Sequence, residues 1–178
     1  MPQARKDDAE AKAPVMLDLL SRELNRLAEW VMVVLLAALT LLAGAQIAGR
    51  FLFAYSIFWS DELARFLLVW SAFLGMSVGV RRGAHPAVDS LVRALPPGAA
   101  RVAFGAALAC SLLFFLVMVG YGTLLVQRTW LQRSPSLGLR MGLPYLAVPV
   151  AGLLMSLHTT AVVVRGEATR TSTRGLDG

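Results

Sequence analysis

The sequence predicts an all-α integral membrane protein: four transmembrane helices preceded by an N-terminal amphipathic helix at the membrane interface. Three observations carry that prediction. The 178-residue chain is 57% hydrophobic and only 16% charged, and its mean hydropathy of +0.63 lies above that of ordinary soluble domains. It holds four apolar runs close to the roughly 20 residues that a helix needs to cross a hydrocarbon core ~30 Å thick. None of these runs alternates apolar and polar residues as a membrane β-barrel strand would.

Residues 1–14, "MPQARKDDAEAKAP", carry mixed charge and few large apolar groups, so a disordered N-terminus is expected there. From residue 15 to 165 the sequence reads as one four-helix unit. In "VMLDLLSRELNRLAEW", Leu17, Leu20, Leu24, Leu27 and Ala28 share one helical stripe, with Asp18, Arg22, Asn25, Arg26 and Glu29 opposite. That pattern predicts a helix lying along the interface, its apolar stripe in lipid, before the chain turns into the first span. A straight extension of the first membrane helix is the alternative.

The first span is expected over about residues 30–49, an uncharged stretch whose only strongly polar side chain is Gln46. It starts too late and runs too long for a cleaved signal peptide, so it is expected to be retained. The second span, about 61–80, contains Arg65 near its start, about 7 Å from a helix beginning at Ser60, where a long side chain can snorkel to the headgroups. Ser60 reads as its N-cap, Asp61 and Glu62 as first-turn acids matched to the helix dipole, and Asp61 with Arg65 as an i, i+4 pair. Trp59 fits the outer boundary. Trp70 lies about 15 Å deeper and suggests helix packing instead.

The third span is expected over about 102–126 and the fourth over about 143–164, with a loose tail at 166–178. Pairs of small residues, Gly75 with Gly79 and Gly105 with Ala109, would let helix backbones approach closely. Cys110, the single cysteine, reads as a packing residue, which leaves no disulfide within the chain and no thiolate metal cluster. His158 is the one ionisable group deep in a run and is read as an interhelical hydrogen-bonding residue, because a proton relay would need an intramembrane acid beside it.

Twelve Lys and Arg residues flank the runs on the side of the termini and the middle loop, against five on the other side. The positive-inside rule therefore puts both termini in the cytoplasm. The net charge of +6 is read as topology and attraction to anionic lipid, not as nucleic-acid binding. No phosphate loop, HExxH or nucleophile elbow is present, so no catalytic residue, metal site or cofactor is expected. His85 and Asp89, spaced i, i+4, are too few to hold a metal. Pinning a cytoplasmic loop is their structural reading, with a solvated turn as the alternative. A stand-alone four-helix exporter would need a membrane-embedded carboxylate, and a four-span redox enzyme would need paired cysteines. A membrane assembly factor is a further alternative.

Two blocks add a resemblance. "WSDELARFLLVWSAFLGMSVGVRRGAHPAVDSLVRALP" supplies Trp59, Asp61, Glu62, Arg65, Trp70, Gly75, His85, Asp89, Leu95 and Pro96, and "SPSLGLRMGLPYLAVPVAGLLM" supplies Ser134, Pro135, Leu137, Gly138, Tyr145, Pro149, Gly152 and Met155. Together they resemble the small membrane subunit, the DctQ-type permease, of tripartite ATP-independent periplasmic (TRAP) transporters, over about residues 15–165. Where relatives often carry an aromatic before the tyrosine, this chain has Leu143 and Pro144.

The resemblance implies a non-catalytic scaffold in the bacterial inner membrane. Its partners would be a large elevator-type subunit, which holds the substrate and ion sites, and a periplasmic binding protein that delivers an organic acid. This chain would not bind substrate. Trp59, Asp61, Glu62, Arg65, Trp70, Gly75, Gly79, Ser134, Pro135 and Tyr145 are then the candidate interface residues.

Overall fold

The computed structural model describes residues 2–53, 58–82 and 95–174. Helix α1 (Pro2–Phe53) is followed by α2 (Ser60–Arg81), α3 (Pro97–Thr129), a one-turn α4 (Gly142–Tyr145) and α5 (Ala147–Arg174). Four stretches are long and apolar enough to cross a membrane: Val15–Leu52, Ser60–Arg81, Gly98–Thr129 and Gly142–Val164. The fold class is the expected one, an all-α membrane protein.

The interfacial helix differs from expectation, because α1 continues through residues 29 and 30 without a turn. At 1.5 Å per residue, Val15–Leu52 is about 57 Å long, almost twice a hydrocarbon core. The side turned inward is also rotated from the leucine stripe. Ser21 and Ala28 are buried, whereas Leu20 and Leu27 are exposed. The inward stripe runs Asp18, Ser21, Asn25, Ala28, Met32, Leu35, at helical spacing. The reason is the other helices: the last turn of α2 brings Arg81 and Arg82, which give these polar groups partners. Helix also covers residues 2–14 and 166–174, where a loose chain was expected; the first stretch is rich in Ala, Glu, Lys and Arg, which are strong helix formers.

Helix α2 starts one residue earlier in conformation than Ser60 capping would require. Trp59 occupies the cap position with a helical backbone (φ −84°, ψ −14°), and its carbonyl accepts the Leu63 N–H at 3.2 Å. Ser60 is therefore the first helical residue and fully buried, while Asp61 and Glu62 keep their first-turn places. Pro97 opens α3, where its missing N–H costs no helical hydrogen bond. Span hydroxyls return to their own backbone, as Ser71 Oγ does to the Leu67 carbonyl at 2.7 Å and Thr123 Oγ1 to Val119 at 2.7 Å, which removes unsatisfied donors from lipid.

The helices form an open array. α1 packs on α2 and α5, α2 on α5, and α3 on α5 and α4, while the α2 and α3 backbones stay apart and Phe73 and Val80 of α2 join the core that holds Phe115 of α3. Two small cores hold it. Ala28, Leu74 and Val78 gather Met32, Leu35, Trp70 and Leu154, and Phe115, Ala151 and Met155 gather Phe73, Val80 and Met118. A close approach between α3 and α5 depends on two glycines. A Cβ on Gly122 would lie 2.9 Å from Pro149 Cδ, and one on Gly152 would lie 3.0 Å from the Phe115 carbonyl oxygen.

The small-residue pairs marked in the sequence behave differently. A Cβ on Gly75 would meet Met32 Sδ at 3.4 Å, so this position packs against α1, and a Cβ on Gly105 would meet nothing within 4 Å.

Candidate functional site

Three features stand out: a polar cluster at the end of the array where α2 ends (the proximal end), a docked loop and cleft at the opposite (distal) end, and an apolar groove between them.

At the proximal end, His158 is fully buried on α5, and its Nδ1 lies 2.8 Å from Ser21 Oγ on α1. Arg81 donates to the same Ser21 oxygen and reaches Asp18 Oδ1 at 3.4 Å. Ser21 Oγ, with one donor and two acceptor sites, serves Arg81 and His158 Nδ1 together. The other ring nitrogen of His158, Nε2, is buried without a hydrogen-bond partner among the described residues. Alongside, Glu29 accepts from Arg82 at 2.8 Å and from Asn25 at 2.9 Å. The interhelical role read for His158 is thus observed, joining α1, α2 and α5. Asp18, Ser21 and Arg81 were not singled out as its partners, although the run Asp18, Ser21, Asn25, Ala28, Met32, Leu35 was a legible stripe.

At the distal end, Glu62 Oε2 accepts the backbone N–H groups of Ser136 at 2.9 Å and Leu137 at 3.0 Å. A carboxylate that caps two consecutive amides fixes the α3–α4 loop to α2. The loop is itself closed. Ser134 N donates to the Leu139 carbonyl at 2.8 Å, Gly138 N to Ser134 at 3.1 Å and Met141 N to Gln132 at 2.9 Å. Gly138 has φ +65°, a left-handed backbone that glycine adopts at little cost. Arg133 donates to the Gly138 carbonyl at 3.0 Å. Arg140 stacks on Trp130, 5.4 Å from the ring centroid.

Asp61 does not pair with Arg65. Its Oδ1 instead accepts from Gln46 Nε2 at 2.5 Å, tying α2 to α1. Between the docked loop and α2 lies a cleft of about 490 Å³ that collects Asp61, Glu62, Arg65, Pro135 and Tyr145 with Phe58 and Phe66.

Of the remaining candidates, Ser134 is buried in the loop turn. Trp59 is exposed at the start of α2. Trp70 is packed on the α1–α2 core. Gly79 lines an apolar groove of about 520 Å³ between α2, α3 and α5, with Met76, Ser111 and Phe114. His85 and Asp89 lie outside the described residues. No three His, Cys, Asp or Glu residues gather in a metal-binding group among the described residues.

Comparison with known proteins gives a consistent result. The chain is 31% identical over 107 residues to the "C4-dicarboxylate TRAP transporter small permease protein DctQ" of Vibrio cholerae, covering 57% of this chain and 46% of that protein. It is 28% identical over 142 residues to the "Sialic acid TRAP transporter small permease protein SiaQ" of the same species, covering 78% and 80%. It is also 38% identical over 73 residues to the "Sialic acid TRAP transporter permease protein SiaT" of Haemophilus influenzae, covering 41% of this chain but 12% of that much longer protein. The chain thus spans about half of the dicarboxylate relative and a small part of SiaT. The family model for the DctQ component of tripartite ATP-independent periplasmic transporters matches residues 39–169, most of the chain, and the protein belongs to that family.

Proposed function

We propose that this chain is the small, non-catalytic scaffold subunit of a TRAP transporter. It packs in the bacterial inner membrane against a larger membrane subunit, and both its termini are cytoplasmic. The larger subunit moves as an elevator and holds the substrate and coupling-ion sites. A periplasmic binding protein delivers the organic acid, whose uptake an ion gradient drives.

The observation that carries this reading is that 73 residues of this chain match 12% of the much longer SiaT permease, which fits a small unit working beside a larger one. The open array supports it. Among the described residues the α3 backbone approaches only α5 and the short α4, and Phe114, Leu116 and Tyr121 on α3 are exposed, available to lipid or another subunit. The deep parts of the described spans hold no Asp or Glu and no interrupted helix pair of the kind that builds transport sites. On this reading the distal end faces the periplasm, and Trp59, Pro135, Tyr145 and the groove at Gly79 belong to the contact surface.

The test is purification of the tagged chain in mild detergent, followed by native mass spectrometry. The expected species is the 19.2 kDa chain bound to one much larger multi-span protein. Recovery solely as a monomer or as copies of itself contradicts the reading.

A further inference from the structure

The distal cleft holds charges of both signs in an arrangement that its own chain leaves half satisfied. Arg65 is exposed and makes no ion pair or hydrogen bond with a described residue. It stands five residues inside α2, about 7 Å from the helix start, where the boundary of the hydrocarbon is expected. Its Cα–Cβ bond tilts toward the helix N-terminus, so the guanidinium is directed to headgroup depth.

The two neighbouring carboxylates are each occupied through one oxygen, Asp61 through Oδ1 by Gln46 and Glu62 through Oε2 by the loop amides. Asp61 Oδ2 and Glu62 Oε1 remain as acceptors. The walls of the cleft are apolar and aromatic, with Phe58, Phe66 and Val69 on the α2 side and Pro135, Pro144 and Tyr145 opposite. At headgroup depth the exposed Arg65 favours an anion, and the free oxygens of two carboxylates in the same cleft favour a hydrogen-bonding cation.

We infer that this cleft binds the headgroup of a zwitterionic phospholipid with a primary amine, phosphatidylethanolamine. Its phosphate meets Arg65, its ammonium meets the free oxygens of Asp61 and Glu62, and its acyl chains lie along Phe66 and Val69. A guanidinium fork suits a phosphate. A primary ammonium brings three donors to carboxylates, which the trimethylammonium of phosphatidylcholine lacks, and phosphatidylglycerol brings no cation at all. A carboxylate side chain of a partner protein would satisfy Arg65 but would add a third anion beside Asp61 and Glu62, so the lipid is the better complement. The inference requires only that the chain is a membrane protein and is independent of its partner subunit.

The experiment uses the full chain in nanodiscs of equal parts phosphatidylethanolamine, phosphatidylcholine and phosphatidylglycerol, with bound lipid counted by native mass spectrometry after detergent exchange. The expected result is one retained phosphatidylethanolamine, enriched about tenfold over either competitor, the ratio that one strong charge-assisted contact supplies. Arg65→Gln abolishes the enrichment and Arg65→Lys keeps part of it, with helix content checked by circular dichroism. Equal retention of the three lipids by the unaltered chain overturns the inference without reference to any variant, as does undiminished enrichment in a folded Arg65→Gln chain. If Arg65→Gln instead releases a co-purifying membrane protein while lipid retention is unchanged, the occupant is a protein and the inference fails.

Discussion

Ser21 and His158, 137 positions apart in sequence, are joined at 2.8 Å where α1 meets α5, and Arg81 from α2 donates to the same serine oxygen. Three helices therefore converge on one hydroxyl. Ser21→Ala removes an acceptor from Arg81 and the hydrogen-bond partner of His158 Nδ1, and is expected to destabilise the fold by about 1–3 kcal/mol. His158→Leu should cost a similar amount. Because the two share a bond, the double variant should lose less than the sum by ~0.5 kcal/mol or more. Thermal unfolding of the purified variants in detergent measures this, and strict additivity would show that the two groups do not cooperate.

The two proximal ion pairs that join α1 to Arg81 and Arg82 should differ sharply. Arg82 and Glu29 meet at 2.8 Å with side chains 68% and 33% exposed, whereas Arg81 and Asp18 meet at 3.4 Å with side chains 13% and 15% exposed. Solvent screening limits the first pair to about 0–1 kcal/mol. Arg81→Ala leaves the shielded Asp18 carboxylate to Arg22 alone, at 2.8 Å, and takes one of two partners from the buried Ser21, so it should cost about 1–3 kcal/mol. The same unfolding assay compares Arg81→Ala with Arg82→Ala; equal losses would refute the distinction.

Glu62 holds the α3–α4 loop by two amides, so Glu62→Ala should free that loop while leaving the spans inserted. A cysteine at Ser136 would then react faster with a membrane-impermeant maleimide, by about tenfold if the lost contacts are worth ~1.4 kcal/mol. Glu62→Gln keeps an acceptor oxygen and should change the rate much less. An unchanged rate in Glu62→Ala would mean that the Gly138 turn alone fixes the loop.

Gly122 and Gly105 are both on α3, yet their substitution should have opposite consequences. Gly122→Ala drives a Cβ against the Pro149 backbone and should cost about 1–3 kcal/mol. Gly105→Ala meets open space and should be neutral or stabilise slightly, since alanine favours helix by up to ~1 kcal/mol. Destabilisation by both would mean that the α3 face at Gly105 is covered by another element.

The spans were legible because lipid imposes a strict rule, that an uncharged run near 20 residues becomes a helix. Trp30–Gly49 and Val102–Val126 needed no further information. The orientation of α1 was not legible from its stripe of leucines. In water, Leu20 and Leu27 would turn inward; beside a bilayer, apolar side chains have an equally good environment outside, and the polar groups Asp18, Ser21 and Glu29 take the interior because Arg81, Arg82 and His158 wait there.

At the distal end, the resemblance marked Asp61, Glu62, Arg65, Pro135 and Tyr145 together, and the structure gathers them around one cleft. Their division of labour was hidden, because Glu62 acts on the backbone of residues 74 and 75 positions away. Backbone donors carry no signature in side-chain sequence. The tight contacts at Gly122 and Gly152 were missed for a related reason: they face different helices and form no spaced pair on one.

The central claim is that this chain supports transport without conducting substrate. The most direct measurement compares uptake of a labelled organic acid into proteoliposomes containing the chain alone, the larger membrane subunit alone, or both, with the binding protein outside and an ion gradient imposed. Uptake only when both membrane subunits are present is the expected result; gradient-driven uptake by vesicles holding this chain alone would contradict it.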